Sequence, residues 1–271
     1  MKKISLVLLI SLFSSILFAQ KIKMSKAELK TKLDSVLAEG NLLYKYEKAA
    51  WISNDLAFEC PAVKAEYNGF FTYEEQEEIK TIILGDNFQF CIAEYVFDNN
   101  FDKPKSEKIE KRELSEKEKD LIDVRKKILK EIVENKYEVT YPDDYNPNII
   151  LLPFADKYKL YIIMGTSLKD VIPFGNDYLF IADKNGKVEN WQKFHSILIP
   201  GYTMIGDRYK VTKLSHSHLR TTPLMTATDI CTFMLYAPLY DMDEFSVYSP
   251  AIGKHMNYSL KDNQITVKSK P

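Results

Sequence analysis

Two of the four histidines in this 271-residue chain stand two positions apart, in the segment His216-Ser217-His218. Residues two apart on a β-strand point to the same face, so a strand here would present two imidazoles side by side. Asp229 follows eleven positions after His218, at the start of an apolar run with helical character. A short loop would bring this carboxylate back to the histidines. Two histidines and one aspartate are the three protein ligands that a catalytic zinc ion requires, with water in the fourth position.

The same residues also allow a purely structural interpretation. Thr226-x-x-Asp229 has the form of a helix capping box, in which an acidic side chain near the helix N-terminus satisfies a free backbone N–H group. That role alone would account for Asp229, and a His-x-His pair arises often by chance. The residues therefore leave open both a zinc site and a capped helix without metal.

The segment from His216 to Asp229 resembles the signature of the JAMM, or MPN-type, metalloproteases: His-x-His, seven residues, Ser, two residues, Asp. His216, His218 and Asp229 match the three metal ligands, and Thr226 stands at the position of the serine. The resemblance covers roughly residues 147–271. It implies a zinc-dependent (Zn²⁺) hydrolase of amide or isopeptide bonds, in which the hydroxyl of Thr226 stabilises the oxyanion.

The family also uses an upstream glutamate as the general base on the zinc-bound water. Its usual interval before the segment "FHSILIP" leads to Asp177, so the resemblance assigns the base to an aspartate that is one methylene shorter. A turn residue after Gly175-Asn176 is the alternative interpretation of Asp177. Leu219 also departs from the family, which commonly has proline there. These departures favour a second hypothesis, a non-catalytic MPN-like module that binds partners.

The two remaining histidines add little to this pattern. His195 lies on a predicted neighbouring strand and is a fourth candidate for the site, with a partly exposed sheet histidine as the alternative. His255 has no evident partner. A third hypothesis is an envelope-associated structural protein in which the N-terminal half does the work. A peptide or protein substrate is expected for the hydrolase, but the sequence does not identify it.

The charge balance argues against one class of partner. The 37 Lys and Arg residues nearly equal the 38 Asp and Glu residues, so the formal net charge is -1. A nucleic-acid partner is not expected, because no excess positive charge is present to displace counterions.

The first twenty residues are typical of a secretory signal peptide. Lys2 and Lys3 precede an apolar stretch that ends near Ala19. The stretch is short for a transmembrane span and is interrupted by serines. We predict a bacterial protein with a signal peptide at residues 1–19. Its mature form would be exported, periplasmic or secreted, without a transmembrane segment.

Export makes a disulfide possible among the three cysteines. Cys60 and Cys91 form the more natural pair, because Cys231 falls inside the apolar helical run. Three buried, reduced thiols are the alternative.

Two helix starts and a series of strands organise the N-terminal half. The capping box Ser25-x-x-Glu28 predicts a helix over residues 26–39, with Gly40 at its end. Residues 41–59 are rich in aromatic and apolar side chains and are predicted to be strand. Asn68-Gly69 predicts a hairpin. A second capping box, Ser115-x-x-Glu118, begins a helix with one apolar stripe.

The turn-rich segment at 140–148 predicts a domain boundary. After it come several predicted strands, among them residues 209–218, and one helix at residues 227–237. We therefore predict an α+β fold with a 20–146 region of helix plus β-meander. The 147–271 region would carry a mixed β-sheet with a flanking helix, which the resemblance implies to be MPN/JAB-like.

Overall fold

The computed structural model describes residues 22–135, 137–206 and 208–269. The predicted signal peptide at residues 1–19 lies outside the described residues. No helix in the described part of the chain combines the length and the hydrophobicity that crossing a membrane requires. Helices combine with mostly antiparallel sheets, which confirms the predicted α+β class.

The secondary-structure elements are named here in chain order. They are α1 (Lys26–Glu59), α2 (Pro61–Glu66), β1 (Gly69–Glu75), β2 (Glu78–Gly85), β3 (Phe90–Phe97), β4 (Ser106–Lys108), β5 (Arg112–Glu113), α3 (Glu116–Glu134), β6 (Tyr145–Phe154), β7 (Lys157–Thr166), β8 (Val171–Gly175), β9 (Tyr178–Ala182), β10 (Val188–Lys193), β11 (Leu198–Tyr202), β12 (Met204–Ile205), β13 (Tyr209–Lys210), β14 (Leu214–Ser217), α4 (Ala227–Tyr236), a 3₁₀ turn (Ala237–Tyr240), β15 (Glu244–Ser249), β16 (Lys254–Ser259) and β17 (Gln264–Lys268).

Helix α1 begins where predicted but is much longer than predicted. The Ser25 hydroxyl accepts a hydrogen bond from the backbone N–H of Glu28 at 3.1 Å. The predicted end at Gly40 and the predicted strand over residues 41–59 are wrong. Buried residues recur at helical intervals through this segment, as Leu43, Glu47 and Ala50 show. The segment is therefore the second half of one long helix, and its buried residues form one face of that helix.

Gly40 serves a helix–helix contact and does not end α1. A Cβ atom at this position would lie 2.6 Å from the Cβ atom of Ile230 in α4. Real Cβ atoms do not approach this closely, so glycine is what allows α1 and α4 to cross here.

The N-terminal β-meander is confirmed, since β1, β2 and β3 pair as antiparallel neighbours. Its first turn is formed by Gln76 and Glu77, with φ values of 52° and 64°. Gly69 is instead the first residue of β1 and Asn68 precedes it, so the hairpin predicted there is wrong. The second capping box is confirmed: the Ser115 and Glu118 side chains each bond the other's backbone N–H at the start of α3.

Two apolar cores lie on opposite faces of the central sheet, whose strand order is β10-β9-β7-β6. On β7, Tyr161 and Ile163 face the core that also holds α1 and α4. Leu160 and Ile162 face the core that holds α3. Residues of both predicted regions contribute to each core. The predicted boundary falls inside β6, and independent folding of the two regions stays a prediction.

The C-terminal sheet is mixed, with the order β14-β15-β16-β17. Strand β14 runs parallel to β15, and the other pairs are antiparallel. The strand predicted over residues 209–218 is divided into β13 and β14. A tight turn that contains Asn185 and Gly186 connects β9 and β10, with Gly186 at φ 82°. Cys60, Cys91 and Cys231 are all free thiols.

Candidate metal centre

The structure brings four side chains together: His195, His216, His218 and Asp229. Each offers one ligand atom, and these atoms lie within 4.8 Å of one another. His195, His218 and Asp229 are 3%, 4% and 1% exposed. The three ligands predicted from the sequence are thus neighbours, and His195 joins them. This group could hold a metal ion.

Strand β14 positions the two closely spaced histidines. His216 lies within the strand, and its ring packs against Phe174 and Phe245 at centroid distances of 5.2 and 6.2 Å. His218 follows the strand, and its backbone N–H extends the pairing to the carbonyl of Tyr248 at 2.9 Å. The two imidazole centroids are 5.1 Å apart. Both rings therefore point to the same side, as extended backbone requires.

Asp229 uses its two carboxylate oxygens differently. Oδ2 accepts from the backbone N–H of Thr226 at 2.9 Å and from its hydroxyl at 2.8 Å, which completes the capping box of α4. Oδ1 is buried and has no hydrogen-bond partner among the described residues. It lies 3.2 Å from Nε2 of His216 and 3.5 Å from Nε2 of His195. The capping interpretation thus holds, and Oδ1 is still available to the histidines.

His195 lies in the loop between β10 and β11, and not on a strand as predicted. It is buried, so the interpretation as a partly exposed sheet histidine is wrong. A Cβ atom at Gly175 would meet the carbonyl oxygen of Ile197 at 2.5 Å, and φ there is 78°. Glycine at the end of β8 therefore allows this loop to approach the site.

Asp177 reaches the cluster through His195. Its Oδ1 atom is 2.7 Å from Nδ1 of His195, and its Oδ2 atom accepts the hydroxyl of Thr228. The preceding Asn176 has φ 52°, so Asp177 does follow a turn. Its side chain is nevertheless 2% exposed and faces the site. The Thr226 hydroxyl contacts Asp229 and, at 2.8 Å, the hydroxyl of Thr228.

The spacing of the ligand atoms matches one coordination shell. A tetrahedral zinc ion with bonds of about 2.0–2.1 Å separates its ligand atoms by about 3.3 Å. Nε2 of His218 lies 2.9 Å from Nε2 of His195 and 3.1 Å from Nε2 of His216. Its distance to Oδ2 of Asp229 is 3.1 Å. The residues present therefore fit a four-coordinate ion.

The hydrogen-bond partners assign the tautomers of two rings. Nδ1 of His218 is 2.7 Å from the carbonyl oxygen of Leu224, which can only accept, so Nδ1 carries the hydrogen. The carboxylate of Asp177 accepts from Nδ1 of His195 in the same way. In the neutral rings, both Nε2 lone pairs then face each other across 2.9 Å. A proton on one of the two nitrogens, or a metal ion between them, would remove this repulsion.

The electrostatics of the cluster favour that cation. Burial lowers the pKa of His195, but the carboxylates of Asp177 and Asp229 outweigh burial and raise it to about 9. Burial raises the pKa of Asp229, yet the imidazoles of His195, His218 and His216 hold it well below its usual range. The two carboxylates thus attract positive charge into a site that excludes water, whether a proton or a metal ion.

The sequence named His195 only as a fourth candidate and did not single out Thr228. His195 precedes His216 by 21 positions on a different segment, and Thr228 looked like an ordinary helix residue. His255 does not join the cluster, and its ring lies 4.8 Å from that of Tyr248. The signal in the sequence that could have linked His195 to the site was the turn-forming Gly175-Asn176 followed by Asp177.

Comparison of the chain with family models, curated proteins and solved structures gave no match. The resemblance to JAMM-type enzymes therefore rests on the motif residues themselves and stays a prediction.

Proposed function

We propose that this protein binds one zinc ion through His195, His216, His218 and Asp229. The observation that carries the proposal is the approach of two lone pairs. Nε2 of His195 and Nε2 of His218 lie 2.9 Å apart, while both Nδ1 hydrogens are committed elsewhere. A metal ion at the centre turns this repulsion into coordination. The carboxylate behind His195 and the carbonyl behind His218 are the outer partners that metal-binding histidines commonly have.

Zinc is the metal that the donor set favours. Three imidazole nitrogens and one carboxylate oxygen at near-tetrahedral spacing suit zinc. The d electrons of zinc favour no particular geometry, and its protein sites are usually tetrahedral. Calcium and magnesium prefer six or more oxygen ligands, and this cluster is dominated by nitrogen.

The first role that we propose for the ion is structural. Four protein ligands fill a tetrahedral shell, as in zinc sites that stabilise a fold. The ligands come from three separate segments: the β10–β11 loop, the end of β14 and the first turn of α4. One ion therefore fixes the loop and the helix against the C-terminal sheet.

Metal analysis of the purified protein tests this proposal. We expect about one zinc per chain by elemental mass spectrometry after purification without chelator. His218→Ala should lose most of it, because the remaining ligands bind far more weakly. His255→Ala is the matched control and should keep the ion, since His255 lies outside the cluster. Zinc retained at full stoichiometry by a His216→Ala, His218→Ala double variant would refute the site.

Hydrolysis of amide or isopeptide bonds is the second candidate function. It is favoured by the division of the ligands: His216, His218 and Asp229 come from one strand–loop–helix unit, whereas His195 comes from a separate loop. Without His195, those three leave one corner for water, as catalytic zinc sites do. Bound zinc would act as a Lewis acid on the carbonyl group and would lower the pKa of a bound water.

The roles of the nearby residues follow from their places. Asp177 contacts His195 and would accept the proton of the attacking water once the His195 ring has moved away. The Thr226 hydroxyl would have to leave Asp229 and Thr228 before it could donate to an oxyanion. These two movements distinguish an active hydrolase from a non-catalytic, metal-stabilised module.

A peptide library assayed with the wild type and two variants separates the two functions. The hydrolase predicts activity in the wild type or in His195→Ala, and its loss in His195→Ala, Asp177→Asn with zinc still bound. The structural role predicts no cleavage by any of the three proteins, and weaker zinc binding by the two variants that lack His195. Cleavage that survives in the double variant would remove Asp177 as the base.

A further inference from the structure

A second site lies where α1, β6, the end of β7 and the end of α4 meet. The cavity there has a volume of about 270 Å³. Glu47, Ala50, Trp51 and Asn54 line it from one face of α1, at helical intervals. None of the four metal-site side chains lines this cavity. Its size is just below the range of sites for drug-sized ligands, so it suits a small molecule.

Glu47 is the unusual group in this cavity. It is 9% exposed, yet it makes no hydrogen bond or ion pair among the described residues. Burial alone raises the pKa of its carboxyl group to about 8. Lys48 is adjacent in sequence but is not its ion-pair partner. The Nζ atom of Lys48 lies over the Trp51 ring, 6.0 Å from the ring centroid. A largely buried carboxyl group without an ion-pair partner is costly to ionise, because burial removes most of the water that would stabilise its charge.

The walls of the cavity combine aromatic faces with amide groups. The rings of Trp51 and Tyr236 are 5.3 Å apart, and aromatic faces attract cations. Asn146 and Asn148 lie on the same face of β6 and offer amide oxygens. A Cβ atom at Gly165 would lie 2.9 Å from Nδ2 of Asn148, so the glycine provides room for that amide.

We propose that this cavity binds a small organic cation with a primary alkylammonium group, held by the Glu47 carboxylate between aromatic and amide walls. The ammonium group supplies the charge partner that Glu47 lacks, and its three N–H donors match a carboxylate and two amide oxygens. The short alkyl chain would contact Trp51 and Tyr236. The proposal does not depend on the zinc site.

The test is a titration of the zinc-loaded protein with n-butylammonium chloride. Trp51 lines the cavity and Trp191 is the other tryptophan of the chain, so a Trp191→Phe background isolates the fluorescence of Trp51. We expect a saturable change, with a Kd between about micromolar and millimolar for a ligand of this size. Sodium chloride at equal concentration corrects for ionic strength.

Three variants and one neutral ligand, n-butanol, complete the design. Glu47→Gln keeps the side-chain shape and should weaken binding about tenfold or more, because the charge-assisted contact is lost. Ala50→Leu narrows the cavity and should weaken binding without a change of charge. Glu59→Gln, on an exposed position of α1, should bind like the parent. Circular dichroism establishes that each variant is folded.

Three results would overturn the proposal. The first is equal affinity of Glu47→Gln and its parent. The second is equal binding of n-butanol, which would make the cavity an apolar pocket. The third is the absence of a saturable response in the parent at tens of millimolar n-butylammonium, about ten times above the weakest expected Kd.

Discussion

Asp177 accepts a hydrogen bond from His195, with Oδ1 and Nδ1 2.7 Å apart, and both side chains are buried. The other oxygen of Asp177 holds the hydroxyl of Thr228 in α4. One carboxylate thus connects the loop of His195 to the helix of Asp229. Such a carboxylate fixes the tautomer and the orientation of a metal-binding ring. In the structure as it stands, Asp177 is a positioning residue for the proposed ion.

The Asp177→Asn variant should bind zinc about 10- to 100-fold more weakly than the wild type, the usual effect of losing such a partner. The amide can still accept from His195, but its negative charge is gone. Competition with a zinc chelator of known affinity measures the change. Glu189→Gln is the matched control, because Glu189 is an exposed acid paired with Lys157 at 2.5 Å. An unchanged affinity in Asp177→Asn would contradict the positioning role.

Removal of the ion should lower the melting temperature by about 10 °C. A ligand at about a thousand times its Kd stabilises the folded state by about 4 kcal/mol, and each kcal/mol shifts Tm by about 2–4 °C at this size. Calorimetry with and without EDTA measures the shift, and added zinc should reverse it. The His216→Ala, His218→Ala double variant should melt at one temperature in both conditions. An EDTA-dependent shift in that variant would place the ion elsewhere.

Gly40→Ala should destabilise the protein by about 1–3 kcal/mol, as overpacking does, although alanine favours helices. The added Cβ atom would lie 2.6 Å from the Cβ atom of Ile230. Urea unfolding measures the change. Thr31→Ala, at an exposed position of the same helix, should be neutral or slightly stabilising.

The partner residue provides a second test of the same contact. Ile230→Ala alone should cost about 2–5 kcal/mol, because it empties a buried position. The double variant with Gly40→Ala should cost less than the sum, since the shortened side chain at position 230 makes room for the methyl group added at position 40. Strictly additive costs would show that the two residues do not share one contact.

Local signals in the sequence predicted the starts of helices well. Ser25 and Ser115 cap their helices through contacts within four residues, so the information is adjacent in the chain. The end of α1 was mispredicted because glycine at position 40 serves a tertiary contact and does not end the helix. Its missing Cβ atom makes room for Ile230, which is 190 positions away. No local pattern contains that contact.

The residues of the candidate site also divide into those that local sequence predicts and those that depend on distant contacts. His216, His218 and Asp229 were predictable because a strand, a loop and a helix bring nearby positions together. His195 was mentioned only as a fourth candidate, since it lies in a loop whose path depends on Gly175 and Asn176. The role of Asp177 as base on a metal-bound water stays a prediction, and in the structure its carboxylate contacts His195.

A different buried carboxylate provides a prediction about pH. Glu118 is 1% exposed, and both of its oxygens accept from the guanidinium of Arg112 at 2.8 Å. Tyr73 and the backbone N–H of Ser115 donate to it at 2.9 and 2.7 Å. Burial raises the pKa of Glu118, but these donors outweigh burial and lower it below its usual value of 4.5.

The pKa of Glu118 is lower in the folded than in the unfolded state, so its stabilising effect is present above pH 4.5 and is lost on further acidification. Glu118→Gln should therefore cost about 1.5–3 kcal/mol at pH 7, the range for hydrogen bonds to charged groups, since Arg112 keeps its ion pair with Glu94. The difference from the wild type should shrink as the pH falls from about 4.5 toward 2. Urea unfolding at several pH values measures it. Glu116→Gln, on the exposed side of the same helix turn, should leave the free energy of unfolding nearly unchanged. A difference that stays constant from pH 7 to pH 2 would mean that the charge of Glu118 does not stabilise the fold.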